Sequence, residues 1–266
     1  MDKFKQISDN IVACVMQKDK GKIYSVDSWK VVDFLKEGDN YICFVTSIEV
    51  NFKDDDNKDE TTSYVVKFNP KRDSTAWTSS MLFIFKHEID FLQKIGPDLN
   101  EYLLNIKHIN IPKCFYSTLE KDEEMFITND LRNDGYRMFD RKNSYDMSHL
   151  LLVIDELAKI NATGYLSIRK NSLEGVMTMY PSLAEGTYSN DTLKEFGEMI
   201  KQIIESQMDL ALKLLENSPE FKNVSSWIKD NRSNVIKIII EHITNKSDKF
   251  YTICHGDCWN NNILFK

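Results

Sequence analysis

Near its C-terminal end the chain carries the polar stretch His255 Gly256 Asp257 Cys258 Trp259 Asn260 Asn261 Asn262 between two short apolar runs, Phe250 to Cys254 and Ile263 to Phe265. β-prone flanks of this kind predict a hairpin loop anchored on a small sheet. Such a loop brings Asp257 and Asn262, five positions apart, to one point, where a carboxylate can accept a proton and an amide oxygen can ligate a hard cation. Asn, Asp and Gly also dominate plain turns for backbone reasons. An Asp and Asn pair alone therefore reads as a turn, whereas His255, Gly256, Asp257 and Asn262 together at this spacing seldom coincide by chance.

That pairing suits phosphoryl transfer, which needs positioning and electrostatics more than covalent chemistry. With Trp259 and Phe265 added, the motif resembles the signature of the ecdysteroid kinase-like proteins of insects, which group with the choline kinase-like and aminoglycoside phosphotransferase-like kinases. The resemblance implies an α+β, bilobal protein-kinase-like fold. Its β-rich N-lobe would span residues 1–128, and a mostly helical, incomplete C-lobe would span 129–266 and end at the catalytic loop. It also implies ATP as phosphoryl donor and Mg2+ as its counterion, with Asp257 as the proton acceptor and Asn262 as a metal ligand.

Kinases of this type need a cation for the ATP phosphates, held in place by an anion. Thr61 to Pro70 reads as a strand ended by proline, and its Lys67 resembles the lysine of the family's phosphate-binding strand. Taken singly, a strand lysine is more often a snorkelling surface residue. The partner emerges from helical geometry over Met81 to Ile95. At about 100° per residue, Met81, Phe85, Ile89, Leu92 and Ile95 form one apolar stripe, and Glu88 falls inside it. A carboxylate on a buried face needs a partner, and Lys67 is the candidate; an edge glutamate reaching round to water is the alternative.

Upstream, Gly38 lies in a turn, Glu37 to Tyr41, ahead of a strand from Ile42 to Val50, and this resembles the family's phosphate-covering turn. Met125 to Leu131 resembles the strand and hinge that seat adenine, through backbone groups around Asn129 and Leu131; Asn129 stands where the family usually has an acidic residue. Ser148 to Gly164 reads as a helix with Ser148 as cap, an apolar face of Leu150, Leu151, Ile154, Leu157 and Ala158, and Gly164 as terminator. Asn161 there replaces a histidine of the family pattern. Two further helices are predicted, over Asp191 to Glu216, with a core stripe that includes Ile200, Ile203, Ile204 and Met208, and over Ser226 to Thr244.

A formal charge of −7 argues against a nucleic-acid surface. The acidic run Lys53 to Glu60 reads as a solvated hairpin loop rather than a metal site. Five cysteines without paired metal spacing suit a reducing, cytoplasmic setting. No signal-peptide core or membrane-spanning apolar run is present, and nothing points to a particular oligomeric state.

The sequence ends at Lys266, before the second, metal-binding aspartate that the resemblance implies. The expectations are therefore an incomplete acceptor pocket, weak or undetectable transfer, and poor solubility of the isolated chain. Three classes stay open: a kinase acting on a hydroxyl of a steroid-like or other small alcohol; a protein kinase; and a non-catalytic nucleotide-binding or regulatory protein, or a fragment of a truncated gene model. Gly256 weighs against the second, because protein kinases usually carry arginine beside the catalytic aspartate to answer a phosphorylated activation loop.

Overall fold

The computed structural model describes residues 4, 6–34, 43–71, 75–104, 107–140, 142–184, 190–244 and 250–266. They fall into two compact units, residues 1–183 with 251–266, and residues 184–250. The first unit opens with α1, Asp9–Lys20. Ser8 caps it by accepting from the Ile11 N–H, and Gly21 closes it at φ +73° with its N–H on the Gln17 carbonyl. Val12, Val15 and Met16 form its fully buried stripe.

Next come β1 (Val26–Val32), β2 (Phe44–Lys53) and β3 (Asp59–Phe68). The turn between β2 and β3 is the acidic run. The Asp54 carboxylate accepts from the Asp56 and Lys58 N–H groups at 2.9 and 2.8 Å, and Asn57 takes φ +60°. After α2 (Thr75–Asp90), a π-helical turn (Phe91–Ile95) and α3 (Gly96–Asn100), the chain adds β4 (Cys114–Thr118) and β5 (Met125–Asn129). The result is an antiparallel five-stranded sheet in the order β1-β2-β3-β5-β4.

Alternation along the strands separates two cores. Ile48, Val50, Tyr64, Val66, Phe68, Met125 and Ile127 pack with the buried stripe of α1. On the opposite face, Phe126 packs with Met81, Phe85 and Ile89 of α2. Because Tyr64, Val66 and Phe68 face α1, Lys67 is turned to the α2 side.

Beyond β5 the chain is mostly helical, giving the α+β class expected from the sequence. A two-residue strand β6 (Arg137–Met138) precedes α4 (Met147–Asn171) and α5 (Leu173–Met179). The second unit holds α6 (Asn190–Leu215), α7 (Lys222–Asn231) and α8 (Val235–Thr244), and the first unit ends with β7, Leu264–Phe265. The single helix predicted over 226–244 is broken at Arg232–Asn234, where the Arg232 guanidinium engages Asp209 at 2.8 Å and Glu205 at 3.1 Å. Ile203 of the α6 stripe is 51 % exposed, and Ile200, Ile204 and Met208 are half-buried, so the core expected there is only partly formed.

Two readings of the sequence are corrected in the first unit. α4 is capped by Asp146 rather than Ser148 and runs seven residues past Gly164. Its buried positions are Lys159, Ile160, Thr163, Gly164 and Ser167, whereas Leu150, Leu151 and Ile154 are exposed. Gly164, rather than ending the helix, lets the segment Thr252–Ile253 lie directly on it: a Cβ there would stand 2.6 Å from the Ile253 nitrogen. Thr252 Oγ1 also donates to the Asn161 carbonyl. The second correction concerns Phe250 to Cys254, which forms no strand; Ile253 is instead buried against Ile160, Leu99 and Val176. Among the described residues no helix is long and apolar enough to cross a membrane.

Gly164→Ala should therefore destabilise the protein by about 1–3 kcal/mol through overpacking, outweighing the gain of about 1 kcal/mol in helix propensity. Urea denaturation measures it, and a stabilised variant would contradict the close approach.

Candidate active site

Lys67 sits near the end of β3, paired across to Val45 and Phe126. Its Nζ donates to Glu88 Oε2 at 2.5 Å and lies 5.7 Å from the centre of the Phe126 ring. The Lys67 side chain is 20 % exposed, so burial alone would pull its pKa down; the Glu88 carboxylate outweighs that and holds the ammonium above its ordinary value. Asp257 adds to the upward push, which places its carboxylate within electrostatic reach of Lys67. The Lys67–Glu88 contact thus joins a strand to a helix, and the charge of Asp257 acts on the same ammonium from a distant loop.

The loop carrying Asp257 is shaped by Gly256, at φ +79°. The Asp257 N–H donates to His255 Nδ1 at 3.2 Å, and the Trp259 N–H donates to the Asp257 carbonyl at 3.1 Å. Asn262 Nδ2 then donates twice, to Asp257 Oδ2 at 2.8 Å and to the Asp257 carbonyl at 2.9 Å. Asp257 and Asn262 are clamped to each other through the Asn262 amide nitrogen.

Only one flank of this loop is a strand: β7 pairs with β6, Leu264 opposite Met138 and Phe265 opposite Arg137. The other anchors were not evident from the sequence. Asn260 Nδ2 donates to the Phe139 carbonyl at 3.0 Å, and the Tyr145 hydroxyl donates to Asn260 Oδ1 at 2.8 Å. Phe265 packs edge-on against Tyr145 and His149 at 5.5 and 4.8 Å. The run of three asparagines was the available signal, since it divides two tasks: Asn260 ties the loop to the chain after β6, and Asn262 ties Asp257.

At the hinge, Asn129 is occupied structurally, its Oδ1 accepting from the Lys113 N–H at 2.8 Å. The Leu131 carbonyl accepts from the Asp134 and Tyr136 N–H groups, both at 3.1 Å. Asp130, between them, is 3 % exposed. Burial pushes its carboxyl up, but hydrogen bonds from Arg132 and Ser63 overcome this and hold it below its ordinary value. Gly38 lies outside the described residues.

A nucleotide with magnesium can be tested against these groups. Magnesium takes a few protein oxygens, keeps several waters, and completes its shell with phosphate. The hard oxygens of Asp257 and Asn262 suit that, as the Lys67 ammonium suits phosphate, so the residues fit both. No cluster of three or more His, Cys, Asp or Glu side chains that could hold a metal ion occurs among the described residues.

A profile of the ecdysteroid kinase-like family matches residues 37–266. No curated protein and no solved structure matches the chain.

Because Glu88 raises the folded pKa of Lys67 above 10.5, the pair's contribution to stability is complete below that pH and lost as pH rises through the folded value. The stability difference between wild type and Glu88→Gln should be constant at neutral pH and shrink only above about pH 10.5. Denaturation across that range tests it; a difference unchanged at high pH would contradict the pairing.

Proposed function

The chain belongs to the ecdysteroid kinase-like family, a family of kinase-like phosphotransferases, and from that membership and the site we propose that it transfers the γ-phosphoryl group of ATP to a hydroxyl of a small, steroid-like or other alcohol. The observation that carries this reading is the convergence of the Lys67–Glu88 ion pair and the clamped Asp257–Asn262 pair.

Each residue then has a role that its surroundings support. The Lys67 ammonium, steadied by Glu88, offsets the phosphate charge of the donor. Asp257 keeps one oxygen on Asn262 and uses the other to accept the proton of the attacking hydroxyl. Asn262 Oδ1 would hold magnesium, which when bound neutralises charge on the transferred phosphate. The Leu131 N–H meets a nitrogen of the base.

Gly256 favours a small acceptor over a protein. Its left-handed backbone strains any other residue, so the arginine that would anchor a phosphorylated activation loop has no place there. Five cysteines outside any disulfide agree with a cytoplasmic setting.

The test is transfer of labelled γ-phosphate from ATP to a panel of sterols and other small alcohols. Where the full-length protein labels one of them, Asp257→Asn should lower that rate by roughly a hundredfold or more. Near-normal turnover in the variant contradicts the role of Asp257; tight ATP binding with no transfer to any alcohol points to a nucleotide-binding protein instead.

A further inference from the structure

The buried carboxylate at the hinge has no part in phosphate chemistry, yet it is the most heavily bonded acidic side chain beside the site. Asp130 accepts from Ser63 Oγ at 2.6 Å, from the Arg132 N–H at 3.0 Å, from Arg132 Nε at 2.8 Å and from Arg132 Nη2 at 2.6 Å. A solvated surface turn needs none of this, and burying a carboxylate is unfavourable unless such donors replace water.

The donors come from two directions. Ser63 belongs to β3, the strand that also carries Lys67. Arg132 follows Leu131, and its backbone N–H and its guanidinium both close on the Asp130 carboxylate, so Leu131 is held between two fixed neighbours. The fork geometry also orients the guanidinium plane, and its centre lies 3.7 Å from the centre of the Phe34 ring, just beyond β1. Asn133 adds a second link, its Nδ2 donating to the Ser63 carbonyl at 3.4 Å.

We propose that Asp130 is a positioning residue for the purine base: through Ser63 and Arg132 it fixes the Leu131 N–H relative to β3 and to the Phe34 end of β1, and so sets nucleotide affinity at the base end of the site. This rests on the kinase reading above. Asp130 touches no reacting atom, and the phosphate end, held by Lys67, Asp257 and Asn262, is independent of it.

That separation supplies a readout that simple loosening of the fold would not give. Binding of MgATP, adenosine and magnesium tripolyphosphate is measured by calorimetry on the full chain, for wild type, Asp130→Asn and Arg132→Gln. Asp130→Asn should weaken MgATP and adenosine by about tenfold, the loss expected for a charge-assisted bond, and leave tripolyphosphate within about twofold. Arg132→Gln keeps the Ser63 bond and should show the same pattern, more weakly; it carries the test if Asp130→Asn does not fold. Unchanged MgATP and adenosine affinities, or equal losses for adenosine and tripolyphosphate, would overturn the inference alone. A wild type that binds none of the three ligands would overturn the kinase reading together with it.

Discussion

The ion pair between Lys67 and Glu88 is the constraint on which the rest of the site depends. A lysine side chain with only a fifth of its surface exposed keeps its charge because a carboxylate stands 2.5 Å from its ammonium. That requirement fixes where α2 lies on the sheet: Met81, Phe85 and Ile89 bury their side chains against Phe126, and the same face delivers Glu88 to the strand position beside Phe126. Packing and electrostatics thus specify one register. α1 then covers the opposite face of the sheet, which leaves the Lys67 side to α2 and to the loop bearing Asp257.

That loop solves a different problem, how to keep a carboxylate exposed and still fixed. Gly256 turns the chain into a conformation other residues avoid, Asn262 clamps one carboxylate oxygen, and Asn260 with Tyr145 ties the loop to the segment after β6. Gly164 contributes from a distance, because its missing side chain lets Thr252 and Ile253 rest on α4 and so sets where the loop begins.

Much of this was legible in the sequence, for identifiable reasons. Glu88 stood out because a charge inside an apolar helical stripe demands a partner, and Asp257 with Asn262 because their spacing is short and local. What escaped notice depended on ambiguous or distant partners. The apolar run at Phe250 to Cys254 could be a strand or a packed extended segment, and only Ile253 meeting α4 decides. A glycine after a helical stripe reads as a terminator, whereas Gly164 marks a close approach inside a longer helix. Asp130 gives no local signal, since Ser63 lies 67 positions away and Phe34 follows the distant strand β1. α1 was not anticipated either, although Ser8 and Gly21 cap it, because its buried stripe is only three residues.

The central claim is that Lys67 and the Asp257–Asn262 loop face the same bound nucleotide. A double-mutant cycle for MgATP binding, with Lys67→Met, Asn262→Ala and the combination, addresses it most directly. Groups on one triphosphate should be coupled by about 0.5–3 kcal/mol, so that the double variant departs from the sum of the single losses. Losses that add to within about 0.3–0.5 kcal/mol, or single variants that bind MgATP like the wild type, would show that the two do not share a ligand.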